Sequence, residues 1–122
     1  MTITEDYVSF EVAKLLKDKR FDEHCIYVYL HNGDTDIWDA DKEDIECTKP
    51  TLQMAMKWLR EVHNIHIIVN PYTDTEGQHW SFIFDTYAYG CWQELGVYIT
   101  DSWDSYEEAV EAAIKYCLEK LI

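Results

Sequence analysis

The chain has 122 residues, 48% of them apolar and 28% charged, with 24 acidic against 10 basic side chains and a formal net charge of −14. That length fits one domain spanning 1–122 and able to bury about two-thirds of its unfolded surface, and the apolar fraction excludes a disordered chain. No apolar run reaches the roughly eighteen residues of a membrane span, and the acidic Glu5 and Asp6 argue against a basic-headed signal peptide, so a cytoplasmic location is expected.

Ser9 can cap a helix over 10–19, whose Val12, Ala13, Leu15 and Leu16 form one stripe. Residues 26–30 (Ile-Tyr-Val-Tyr-Leu) are β-branched and aromatic and predict a strand. Asn32-Gly33 then favours a two-residue hairpin turn, with a second short strand over 35–38. The acidic stretch 39–49 has no periodicity and predicts an exposed loop.

A second helix runs from Pro50 or Thr51 to His63, its Leu52, Ala55, Met56, Leu59 and Val62 facing one way and Met54 and Trp58 widening the apolar side. Residues 65–70 predict a strand that is apolar on nearly both faces. A turn over 71–77 leads to an alternating strand over 79–87, with Trp80, Phe82 and Phe84 on one side. Gly90 and Gly96 bracket a turn before a strand over 97–100. Ser105 and Glu108 fit a capping box for the last helix, whose Tyr106, Ala109, Val110, Ala113, Ile114, Cys117, Leu118 and Leu121 recur at helical spacing. Glu111 and Lys115 are set for an i,i+4 pair. The expected fold is α+β: an antiparallel sheet of about five strands with three helices in the order α-β-β-α-β-β-β-α, the helices mainly on one face.

Three segments resemble one another's counterparts in a known set of proteins: Ser9-Phe-Glu-Val-Ala-Lys-Leu-Leu-Lys17, Thr51-Leu-Gln-Met-Ala-Met-Lys-Trp-Leu-Arg-Glu-Val-His63, and the last helix from Tyr106 to Ile122. Together they resemble small uncharacterised proteins carried by phages and mobile elements of gut anaerobic bacteria. The resemblance covers the three helices alone and carries no assigned activity or site. It implies an accessory protein working inside a bacterial cell.

Charge narrows the partners. Net charge is −5 over 31–50 and −6 over 71–105, and no Lys or Arg stands between Arg60 and Lys115. Direct nucleic-acid binding needs cations to displace counterions, and an anionic membrane would repel this chain. A protein with a basic surface is the expected partner, with charge for solubility alone as the plainer alternative.

Candidate chemistry is sparse. Asn32, Asp34, Asp36 and Glu43 match part of a calcium-loop spacing, but the position that needs glycine is Ile37, and a hairpin explains the same residues. His63 and His66, with His79 and Cys91, invite a zinc reading that their weak spacing does not support. Cys25 follows His24, yet adjacent strand residues point to opposite faces. Cys25, Cys47, Cys91 and Cys117 are expected as reduced, mostly buried thiols rather than disulfides. Asp85, flanked by aromatics, is the one carboxylate whose burial would tune it for acid–base work.

Aromatic residues crowd the second half: Tyr72, Trp80, Phe82, Phe84, Tyr87, Tyr89, Trp92, Tyr98, Trp103 and Tyr106. Most suit a core, while Tyr89 and Trp92 fall in a predicted turn and suit an interface. The expected function is a small acidic protein-binding module, either a nucleic-acid-mimicking inhibitor or an adaptor. Its contact residues are Asp34, Asp36, Asp39, Asp41, Glu43 and Asp44, with Tyr89 and Trp92 as anchors, and no cofactor or metal is expected. The alternative is a small hydrolase or metal-dependent enzyme in which His66, His79 and an acid converge.

Overall fold

The computed structural model describes residues 2–96 and 101–122. Its elements, in chain order, are α1 (Phe10–Asp18), β1 (Tyr27–Leu30), β2 (Thr35–Ile37), β3 (Ile45–Thr48), α2 (Leu52–His63), β4 (His66–Asp74), β5 (Gly77–Ala88), β6 (Cys91–Glu94) and α3 (Tyr106–Tyr116), which closes in a π-helical turn, Cys117–Leu121. The predicted strand over 97–100, with Tyr98, lies outside the described residues.

The α+β class and the three helices stand, but the sheet is divided. There are two antiparallel three-stranded sheets, ordered β2-β1-β3 and β4-β5-β6. α1 packs on β3 of the first sheet, α3 packs on β4 and β5 of the second, and α1 and α2 both pack on α3. The helices are therefore the layer to which both sheets attach, rather than a cover on one face of a single sheet. One buried cluster joins Tyr29 and Cys47 of the first sheet, Phe82 and Phe84 of the second, and Leu16, Leu59, Ile114 and Leu118 of the helical segments.

Each helix starts where a side-chain oxygen replaces a missing intrahelical partner. Ser9 accepts from the Val12 N–H at 3.2 Å, Thr51 from Met54 at 3.1 Å, and Ser105 from Glu108 at 3.1 Å. α2 ends at Asn64, whose left-handed φ of 55° turns the chain into β4. The expected Glu111–Lys115 pair does not form. Glu111 instead accepts the Ser9 backbone N–H at 3.0 Å, and Lys115 lies 3.0 Å from Glu11 and 3.8 Å from Glu119. Both side chains are thus spent on docking α3 against α1.

Two strands lie where the sequence predicts none. β3 lies within the acidic stretch 39–49, because Cys47 turns inward opposite Tyr29 and is buried. β6 lies within the predicted turn after Gly90 and pairs back onto β5 from Asp85 to Ala88. The β4–β5 ladder also runs to Asp74 and Gly77, past Pro71. That proline is tolerated because β4 is an edge strand.

Two of the three described hairpins invert the expectation for turns. At Asn32-Gly33 only Gly33 has positive φ, and its N–H bonds Leu30 while Leu30 bonds Asp34, which makes a three-residue loop. The two-residue turn with both central residues left-handed is at Tyr89 (φ 53°) and Gly90 (φ 79°), between the paired Ala88 and Cys91.

Candidate partner-binding site

The six carboxylates of the acidic segment form a rim that runs from the β1–β2 turn along β2 and on through the connection to β3, on the far side of β1. Asp34 leaves the β1–β2 turn, Asp36 sits in the middle of β2, and Asp39, Asp41, Glu43 and Asp44 occupy the connection to β3; all are exposed. β2 is an edge strand whose only described ladder is with β1. Short-range bonds shape the rim. Asn32 accepts the Asp34 N–H at 2.9 Å and donates to its carboxylate at 3.0 Å, and Asp41 accepts the Glu43 N–H at 3.3 Å.

Nearby cations leave the rim uncompensated. Lys17 donates to the Glu46 carbonyl at 2.6 Å and Lys49 to the Thr35 hydroxyl at 2.9 Å. Among the described residues, none of the six carboxylates has an ion-pair partner. His31 ties the base of the rim, one ring nitrogen on the Glu46 carboxylate and the other 2.9 Å from the Glu43 carbonyl. Those two acceptors, Glu46 first, raise the His31 pKa above its ordinary value, and the same contact lowers that of Glu46.

Apolar side chains stand at one end of this rim, where Trp38 lies opposite Ile26, and Ile37 lies opposite Tyr27 on the other face. Ile26 is 66% exposed, Ile37 48% and Trp38 57%. The Trp38 N–H bonds the Ile26 carbonyl at 2.8 Å, and the Trp38 ring meets the edge of His24 with centroids 5.6 Å apart. Sequence reasoning gives these residues no role. The available signal is a large ring closing a three-residue strand, too short to hide it, directly before an acidic run.

Tyr89 and Trp92 lie elsewhere, on the β5–β6 hairpin of the second sheet, so they do not share the acidic rim. Tyr89 is 99% exposed at the tip, while Trp92 packs edge-on with His66 at 4.6 Å and Tyr87 at 5.2 Å. Asp85 faces the same outer side, in register with His66 and Glu94 and half-buried rather than enclosed.

The histidines disperse. His63 lies against the Trp58 ring at 4.7 Å, with its Nε2 buried and unpartnered. His79 contacts Asp74 at 3.1 Å, where the Glu76 N–H, ahead of the His79 charge, lowers the Asp74 pKa. His66 and His79 pair with residues at opposite ends of the β4–β5 ladder, six positions apart on each strand and hence about 20 Å. The convergence that an enzyme built on both would need is not formed. Among the described residues no group of three or more His, Cys, Asp or Glu is placed to hold a metal ion.

Three of the four free cysteines are buried, and Cys91 is exposed. Burial raises the Cys25 thiol and pushes Cys47 up to about 11 and Cys117 to about 12, which leaves them protonated and poor nucleophiles. An open groove of about 750 Å³ lies among the N-terminal segment, α1 and α3. It is walled by Glu5, Asp6, Glu107 and Glu108 with Tyr7 and Trp103. No described helix is long and apolar enough to cross a membrane. Comparison of the chain with known protein families, with curated proteins and with solved structures finds no match.

Proposed function

We propose that this chain is a non-enzymatic protein-binding module, of phage or mobile-element origin and acting in the cytoplasm, that docks a basic protein surface. The observation that carries the reading is the β2 rim: exposed Trp38 and Ile26 where the edge strand ends, with Asp36 and Asp39 on either side of Trp38 in a run of six carboxylates without ion-pair partners among the described residues. Unpaired carboxylates steer a basic partner over about a Debye length, and a desolvated ring supplies the short-range contact. Tyr89 and Trp92 form a second contact region on the other sheet.

Within this class the rim suits an inhibitor that occupies a basic nucleic-acid groove, or an adaptor. Competition separates them. An inhibitor abolishes its partner's nucleic-acid binding, and an adaptor leaves it intact.

The test retains host-cell extract on the immobilised chain beside the Asp34→Lys/Asp36→Lys/Asp39→Lys/Asp41→Lys variant. One stoichiometric protein held by the first, lost from the second and released by moderate salt supports the reading. Retention indifferent to the four reversals contradicts it.

A further inference from the structure

We propose that the outer face of the β4-β5-β6 sheet carries a seat for one arginine side chain of a polypeptide partner, formed by the Trp92 indole with the carboxylates of Asp85 and Glu94. The seat rests on reading the chain as a binder of basic proteins, and it is separable from the β2 rim in the test below.

Strand alternation sets the residues on one face. Phe84 is buried against the helices, so Asp85 and Tyr87 follow the pleat outward, and their direct partners across the ladder are Glu94 and Trp92. Two rings and two carboxylates therefore stand as adjacent cross-strand pairs. Trp92 belongs to β6 and His66 to β4, yet their centroids are 4.6 Å apart although β5 runs between those strands. Two strand spacings are about 10 Å, so the indole reaches over the middle strand to meet the His66 ring at right angles, and it stays 57% exposed.

The arrangement is held in advance. Tyr87 meets the Trp92 ring at 5.2 Å. The Asn64 side-chain amide fastens the Tyr87 backbone on both sides, donating to its carbonyl at 2.7 Å and accepting its N–H at 3.3 Å.

Charge and strain both point outward. The second sheet holds no lysine or arginine, since none occurs between Arg60 and Lys115. Among the described residues neither Asp85 nor Glu94 has an ion-pair partner. At the adjoining hairpin tip Tyr89 is held at φ 53°, a conformation costly for a bulky residue, and its 99% exposed ring recovers nothing from this chain. A guanidinium fits this site better than an ammonium, because its plane stacks on the indole while its edge reaches the paired carboxylates of Asp85 and Glu94 beside it.

The test titrates the ¹⁵N-labelled chain with end-blocked Gly-Arg-Gly, Gly-Lys-Gly and Gly-citrulline-Gly, following the Trp92 indole N–H assigned through Trp92→Phe. The arginine peptide is expected to give a saturable shift, the lysine peptide one about tenfold weaker, and the uncharged citrulline peptide none. Asp85→Asn/Glu94→Gln, which preserves shape, weakens the arginine response about tenfold, whereas Asp22→Asn/Glu23→Gln removes equal charge and leaves it unchanged. An indole that does not move with arginine, or moves equally with citrulline, overturns the seat. If that happens while the reversal-sensitive partner is still retained by the column, the seat alone falls and the rim stands.

Discussion

The β2 rim and the outer face of the β4-β5-β6 sheet both present uncovered apolar surface, but in opposite proportions to charge. At the β2 rim one indole, Trp38, stands within a run of six carboxylates; around Trp92 two carboxylates accompany Tyr87 and His66. The difference follows from strand length. β2 has three residues, and its loop must stay solvated, so charge dominates there. β5 has twelve residues and carries a full alternating face, one side filling the core with Phe82 and Phe84 and the other leaving Tyr87 beside Trp92 of β6. The first region is suited to long-range, salt-sensitive attraction and the second to a short-range contact in which stacking adds to two carboxylates, so that salt weakens it less.

The largest expected effect breaks both regions together, because both hang on the helical layer. Leu59, fully buried at the centre of the core, is expected to cost about 2–5 kcal/mol of stability on replacement by alanine, read by denaturant unfolding. Its loss should dissolve the Trp38 and Trp92 environments in one transition; two separate transitions would show that the sheets fold independently.

Single rings sharpen the contrast next. Trp38→Ala is expected to weaken retention of the partner by about 2 kcal/mol while changing stability by less than about 0.5 kcal/mol. Trp92→Ala should weaken the same complex less, and that smaller loss should persist at high salt. Affinity measured at two ionic strengths checks both.

Tyr89→Asn is expected to stabilise the fold by about 0.5–1 kcal/mol, since asparagine accepts the left-handed turn that tyrosine resists. A thermal melt checks the gain, and no gain would mean that the turn is not strained.

The smallest effect is electrostatic. The His31 pKa lies above its ordinary 6.5, so its contribution to stability is full below that pH and fades as pH rises through the folded value. The Glu46 pKa lies below its ordinary 4.5, so its contribution is full above that pH and fades as pH falls through the folded value. Their pairing therefore stabilises the rim most between pH 4.5 and 6.5. An NMR titration of the His31 ring should show the raised pKa, and Glu46→Gln should return it toward 6.5.

Helices were legible because their signals are local. Ser9 and Ser105 cap where their sequence neighbourhood says they should, and the second helix starts within two residues of its expected start, capped by Thr51 with Pro50 before the cap. β1 and β2 were legible too, from a β-branched and aromatic run beside a turn dipeptide, but β3 and β6 were not, because pairing is non-local. Ile45 to Thr48 buries one residue, Cys47, in an acidic context, and nothing in that tetrapeptide announces Tyr29 as its partner. Gly90 was legible as a turn, but the strand after it depends on β5 offering a free edge. Of the candidate site, the acidic run was visible as composition. Trp38 and its exposed neighbours were not, since alternation cannot tell a covered strand face from an open one. The division of the sheet also separated Tyr89 and Trp92 from the acids, which no linear pattern encodes.

The central claim is that the β2 rim contacts a basic protein. It is tested most directly by passing host-cell extract over the immobilised chain and its Asp34→Lys/Asp36→Lys/Asp39→Lys/Asp41→Lys variant in parallel, with stepped-salt elution and mass spectrometry. The account predicts one stoichiometric protein on the unaltered chain, eluted by moderate salt and missing from the variant. The same protein held equally by both columns would contradict it.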